Sequence, residues 1–373
     1  MNLSPLPTEA VDDLLALMRL PGLAGHEQTV AAFLRERFEP LADEVREDVL
    51  GNVIATVRGT EANAPTVMLF AHMDSLGFVV RRIGDDGFIW LHRLGGIPEK
   101  VLPGLRVVTG RPDGTQLAGI IAVKAHHVTP PEEKSKVTPL DQLFVDIGAS
   151  SRDEALEMGV RIGAPVTYAG HAERLGETRI SGTFIDNRGG CLVILEVLRH
   201  LVRSRPKATV HVVATVQEEF NLRGAQPVAH ALAPDIAVCV DISMSSDTPD
   251  LKGHGELAMG EGPSVNLYTF HGRGTLNGLL PHPALVGSLQ QAAARVGVPL
   301  HRNVTFGGLT DASYVQLVRD GIACVDVGFP ARYTHTPIET CDVRDVAGLV
   351  AVLSGWFDGL SAEFSLERGM AMP

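Results

Sequence analysis

The chain has 373 residues, 45% of them hydrophobic, which supports a large core and about two domains. Its 32 Lys and Arg stand against 44 Asp and Glu, and the resulting charge of −12 argues against nucleic acid and anionic membrane surfaces, which attract basic patches. The start MNLSPLPTEAVDD lacks a basic segment leading into an apolar run, and no apolar stretch approaches a membrane span, so a soluble cytoplasmic protein is expected.

In chain order, Pro7 to Arg19 and Gln28 to Phe38 show the apolar spacing of helices, with Gly22 to Gly25 as a breaker between them. Asp48 to Arg58 and Thr66 to Ala71 read as strands. The second, TVMLFA, is apolar on both faces and belongs inside a sheet covered on both sides. From Gly77 the texture becomes β-rich. One hairpin is expected at Asp85-Asp86-Gly87 and another at Pro112-Asp113-Gly114, and a polar, proline-rich loop runs from Thr129 to Pro139. Residues 77–170 are therefore expected to form a unit inserted between 1–76 and 171–373.

After Gly170 strands and helices alternate. Helices are expected over Gly190 to Val202, Ala225 to Leu232, Pro283 to Val296, Ala312 to Asp320 and Val343 to Leu360. Thr209 to Val216, Ile236 to Val240 and Ile322 to Val327 read as strands. This is a doubly wound α/β pattern: a three-layer α/β/α domain with a central mixed sheet and a β-rich, barrel-like insertion. Four scattered cysteines, with no CxxC pair, indicate a reducing compartment.

Ligands in open α/β sheets collect at the carboxyl ends of strands. TVMLFA runs into His72-Met73-Asp74, TVHVVATVQ into Glu218-Glu219, IAVCV into Asp241, and the strand at Cys324 leads towards His335; Asp186 opens a helix. If the backbone stays extended, Glu218 and Glu219 point to opposite sides. Taken singly, Asp186 reads as a helix cap, Asp241 as a turn acid, His335 as a loop residue and His72 as a hydrogen-bonded core histidine. Gathered at one edge, unpaired carboxylates would repel, and a cation relieves that. Histidine beside carboxylate suits zinc or a similar transition metal better than magnesium or calcium. HEQTV at His26-Glu27 is not HExxH, because residue 30 is Val. HGRGTLNG at His271 reads as a loop near the substrate, His126-His127 as a surface pair, and Asp311, taken alone, as a turn aspartate.

The segments AHMDSLGFVV, IDNRGG, TVQEEFNLRGA, VCVDIS, GGLTDAS and RYTHTPIE, in this order, resemble the family-forty-two metallopeptidases. These are the tetrahedral or glutamyl aminopeptidases, some named endoglucanases. The resemblance implies two divalent ions bridged by Asp186, one held also by His72 and Asp241, the other by Glu219 and His335. Zinc is expected, with cobalt or manganese as alternatives. It further implies that Asp74 orients His72, that Glu218 is the general base acting on a metal-bridging water, that Asp311 in GGLTDAS supports the site, and that a cis peptide follows Asp186. Short peptides are the implied substrates. The insertion becomes a dimerisation domain of a tetrahedral dodecamer or a smaller homo-oligomer. A dizinc N-acyl amidohydrolase is the nearest alternative. A glycosidase is disfavoured, since adjacent Glu218 and Glu219 cannot face each other across a sugar at about 5–9.5 Å.

Overall fold

The computed structural model describes residues 6–272 and 276–368. Helices α1 (Thr8–Leu17) and α2 (Gln28–Phe38) precede strands β1 (Glu44–Glu47), β2 (Val53–Val57) and β3 (Val67–His72). The chain then leaves the sheet through β4 (Gly77–Ile83), β5 (Ile89–Leu94), β6 (Arg106–Gly110), β7 (Gln116–Ile121), β8 (Val145–Asp146), α3 (Arg152–Glu157) and β9 (Pro165–Tyr168). These six strands close a barrel in the order β4-β5-β8-β7-β6-β9. Inside it Phe78, Leu91, Val107, Val145 and Val166 pack as a separate core.

The return runs through β10 (Ala172–Leu175), β11 (Arg179–Gly182), α4 (Ile185–Ser204), β12 (Val210–Thr215), α5 (Ala225–Leu232) and β13 (Ile236–Met244). It continues through β14 (Ser264–His271), β15 (Asn277–Leu279), α6 (Pro283–Val296), β16 (His301–Phe306) and α7 (Ala312–Val315), and ends with β17 (Ala323–Arg332), β18 (Glu339–Asp342) and α8 (Val343–Gly359). The main sheet is mixed, in the order β1-β2-β12-β3-β13-β17-β18-β11-β10, with β14 hydrogen-bonded to β15, β16 and β17. Its centre, β12-β3-β13-β17, is parallel.

Side chains alternate across these strands, so each central strand feeds two layers. Val67, Leu69 and Ala71 of β3 pack with α1, α2, α4, α6 and α8, whereas Met68 and Phe70 pack with α5 and α7. The expected three-layer fold with an inserted barrel is what the structure contains.

Three expectations need correction. The strand expected from Asp48 starts only at Val53, because Asp48 folds a turn: its Oδ1 accepts from the amides of Leu50, Gly51 and Asn52 at 2.9–3.0 Å. The helix expected to reach Asp320 keeps regular form only over Ala312–Val315 and continues as turns. The stretch at His271 is not simply a loop: β14 ends on His271 and β15 begins at Asn277, while Arg273 to Thr275 lie outside the described residues.

Candidate metal and catalytic centre

The parallel strands deliver their carboxyl ends to one edge. His72 is the last residue of β3 and lies in register with Thr215 of β12. Asp241 lies within β13, opposite Gly328 of β17. A Cβ on Gly328 would stand 2.6 Å from the Asp241 carbonyl oxygen, so this close pairing needs glycine. Asp186 opens α4 with non-helical backbone angles, and the peptide to Asn187 is cis. Asn187 donates to the Val240 carbonyl at 2.8 Å and accepts from the Gly190 amide at 2.9 Å, tying the start of α4 to β13.

His72 Nε2 lies 3.1 Å from Asp186 Oδ1 and 3.9 Å from Asp241 Oδ1. His335 Nε2 lies 3.6 Å from Asp186 Oδ2 and 3.8 Å from Glu219 Oε1. Two ligand-type groups result, His72-Asp186-Asp241 and Asp186-Glu219-His335, with Asp186 common to both. Glu218 belongs to neither, yet its Oε2 is 3.9 Å from His72 Nε2.

Glu218 and Glu219 do not alternate as neighbours on a strand do. β12 stops at Thr215, Gln217 takes φ 58°, and the turn sends Glu218 towards His72 and Glu219 towards His335. Asp74 holds this turn: its Oδ1 and Oδ2 accept from the amides of Glu218 and Glu219 at 2.9 and 3.0 Å. Towards His72 its approach is longer, 3.5 Å to Nδ1. His335 Nδ1 lies 2.7 Å from the Gly96 carbonyl. Because a carbonyl only accepts, Nδ1 carries a proton, which leaves Nε2 as the nitrogen that would ligate a cation once the ring is neutral. Gly96 follows β5, so the strand-barrel segment of the chain orients a histidine of the sheet edge.

The electrostatics are those of an uncompensated acid cluster. Burial pushes the carboxyls of Glu218 and Asp241 well above their ordinary range and that of Glu219 up to about 7. Burial opposes protonation of His335, but Glu219 and Asp186 outweigh it and raise the ring to about 9. Bound divalent cations would relieve both strains, and the mixed imidazole and carboxylate donors match a transition metal.

Several buried acids escaped the sequence reading. Glu339 accepts from the Asp186 amide at 3.0 Å and from the His335 amide at 2.7 Å, so one carboxylate positions two ligand-type residues. It stands four residues after His335, inside RYTHTPIE, and that spacing was the available signal. Glu27, within the dismissed HEQTV, accepts from the amides of Gly25 at 2.7 Å and Gln217 at 3.2 Å. Asp311, expected as a supporting acid, is buried and accepts from Thr215 Oγ1 at 3.1 Å. The exposed His126 and His127 sit in the barrel segment, with His126 Nε2 3.4 Å from Lys134 Nζ.

The centre opens into a cleft of about 520 Å³. A mixed α/β sheet whose parallel centre carries two such groups around a shared aspartate at its carboxyl edge has the donors that a metal-dependent hydrolase would use. The model of the M42 glutamyl aminopeptidase family matches residues 51–352, and the chain belongs to that family. It is thus an aminopeptidase of the metallopeptidase type. The lysyl aminopeptidase of Pyrococcus furiosus is 30% identical over 346 residues, covering 92% of this chain and 95% of that protein. An aminopeptidase structure from Desulfurococcus kamchatkensis superposes with TM-score 0.89 at 32% identity, covering 95% of this chain and 96% of that one. The Pyrococcus horikoshii TET1 peptidase, described as assembling into a tetrahedron or a large octahedral shell, gives TM-score 0.83 at 26% identity over 94% of this chain and all of its own.

Proposed function

We propose that the chain removes the first residue of short peptides at a centre of two metal ions, held by His72, Asp186 and Asp241 on one side and by Asp186, Glu219 and His335 on the other. The observation that carries this is the division of Asp186: Oδ1 faces His72 while Oδ2 faces His335. Zinc is the proposed metal, with cobalt or manganese compatible with the same donors. When bound, such a pair lowers the pKa of a shared water and polarises the scissile carbonyl.

The remaining steps belong to the chain's own side chains. Glu218, outside both ligand groups and beside His72, takes the proton of the attacking water and passes it to the leaving amine. Asp74 sets where that carboxylate sits by fixing the amides of Glu218 and Glu219. Glu339 fixes the backbone of Asp186 and His335, and Gly96 fixes the His335 ring. We further propose that the chain self-associates, as a tetrahedral dodecamer or a smaller homo-oligomer, so that only short peptides reach the cleft.

The test combines metal analysis of the purified protein with a panel of aminoacyl chromogenic substrates before and after chelation. Two ions per chain and chelation-sensitive turnover are expected. Acetylated peptides should resist; their hydrolysis would favour an N-acyl amidohydrolase. Glu218→Gln should keep fold and metal content while turnover falls about 10²- to 10⁴-fold, the usual weight of a general base. Undiminished turnover in that variant removes Glu218 from the mechanism.

A further inference from the structure

We propose that Asp326 is a specificity-determining residue of the cleft, receiving the ammonium or guanidinium of a basic side chain on the peptide's first residue. This rests on the aminopeptidase reading and names the side chain which that reading leaves open.

Beyond the ligand-type groups, the cleft is walled by β14, β16 and the turn after it, with Asn266, Thr269, His271 and Thr305 on its lining. These side chains are polar, whereas Leu222, Ile242, Met244 and Leu309 supply the apolar part of the lining, which the methylene stem of a lysyl or arginyl side chain can cover. Asn266 of β14 lies opposite Asp326 of β17 in an antiparallel pair, so the two side chains share a face. Asp326 lines the same cleft and is fully buried. Its Oδ2 accepts from Asn266 Nδ2 at 3.0 Å and from Thr310 Oγ1 at 3.3 Å. Its Oδ1 is buried without a partner.

The asymmetry is built in. Asn303 Nδ2 donates to Asn266 Oδ1 at 2.8 Å, which fixes the Asn266 amide so that its own nitrogen is presented to Asp326. Both neutral donors therefore converge on Oδ2 and leave Oδ1, buried at the cleft wall, without a donor. Such an oxygen is destabilising until a donor meets it, more so if it is charged. Asp326 is in neither ligand-type group, so no metal is expected to take that place. Among the described residues that line the cleft there is no lysine or arginine to neutralise it either. A cationic side chain of the substrate supplies what is missing. An acidic one would bring a second negative charge to a buried carboxylate.

The experiment compares kcat/KM for lysyl, arginyl, leucyl and glutamyl p-nitroanilides in the metal-loaded protein and in Asp326→Asn. The unaltered protein should prefer lysyl and arginyl substrates and use glutamyl substrate least. In Asp326→Asn the lysyl-to-leucyl ratio should fall about ten- to a hundredfold, the worth of one charge-assisted hydrogen bond. An equal fall for every substrate would mean that Asp326 meets the α-ammonium or supports the metals, and would overturn the assignment. A preference for glutamyl substrate in the unaltered protein would overturn it too, whether or not the variant folds. Turnover of none of the four substrates would instead count against the aminopeptidase reading, which keeps the two failures apart.

Discussion

At the scale of single residues, three consecutive amides decide where the proposed base and one proposed ligand stand. Glu27 holds the amide of Gln217, and Asp74 holds those of Glu218 and Glu219. Glu27 is buried, and burial, reinforced by the Asp74 charge, pushes its carboxyl from 4.5 up to about 7. A carboxyl whose folded pKa is raised favours the folded state while protonated. That contribution is complete below the unfolded value and disappears as pH climbs through the folded one. Between about pH 5 and about pH 8 Glu27 should therefore remove on the order of a few kcal/mol of stability. Glu27→Gln keeps an acceptor oxygen for both amides and should flatten this decline in denaturant midpoints taken at the two ends of the range. A slope matching the unaltered protein would show that Glu27 does not titrate there. The same residue shows why part of the site was hidden in the sequence. His72, Asp241 and Glu219 follow apolar runs that announce strands, so their meeting could be read in advance. Glu27 and Asp326 act on Gln217 and Asn266, residues brought close only by folding, and no local pattern marks such an acid; Glu339 had only its spacing to His335 as a signal.

At the scale of elements, helices with a clean apolar stripe were legible almost to the residue: Gln28–Phe38, Ala225–Leu232 and Pro283–Val296 match their expected bounds. The strands β14 and β16 were not. β16 alternates half-buried and exposed positions and leaves Val304 and Phe306 in solvent, so it carries no apolar run to betray it. These strands nonetheless form the cleft wall. β18 shows how element ends bear on the centre: it starts at Glu339, which holds two ligand-type residues, and ends at Asp342, the N-cap of α8. Asp342 Oδ1 accepts from the Arg344 amide at 3.0 Å, and Oδ2 accepts from Thr178 at 2.8 Å. Asp342→Ala should lower stability by about 1–2 kcal/mol for the lost cap, with more for the stranded Thr178. A thermal melt reads the loss. An unchanged melting temperature would mean that water replaces the cap.

At the scale of the whole molecule, the barrel and the sheet meet at the centre: Gly96 fixes the His335 ring, and the Tyr168 hydroxyl reaches the His335 carbonyl at 3.4 Å. Among the described residues, large apolar side chains left in solvent include Val123, Val128 and Val137 of the barrel segment, and Leu276, Leu280, Val304 and Phe306 on or beside β15 and β16. Exposed apolar side chains mark interfaces where they cluster, and β16, whose one strand partner among the described residues is β14, is an edge that a further copy could cover. Sedimentation of the purified protein should therefore show a species much heavier than the 39.8 kDa chain. Phe306→Glu should shift that distribution towards smaller particles, because a charge at a buried contact must be desolvated. The proposed enclosure predicts a second effect, on access. The intact assembly should trim short peptides but spare a folded protein with a free N-terminus, and the smaller particles should lose that discrimination. A fully active monomer at micromolar concentration, or equal trimming of folded and short substrates by the large species, would rule out enclosure as the source of selectivity.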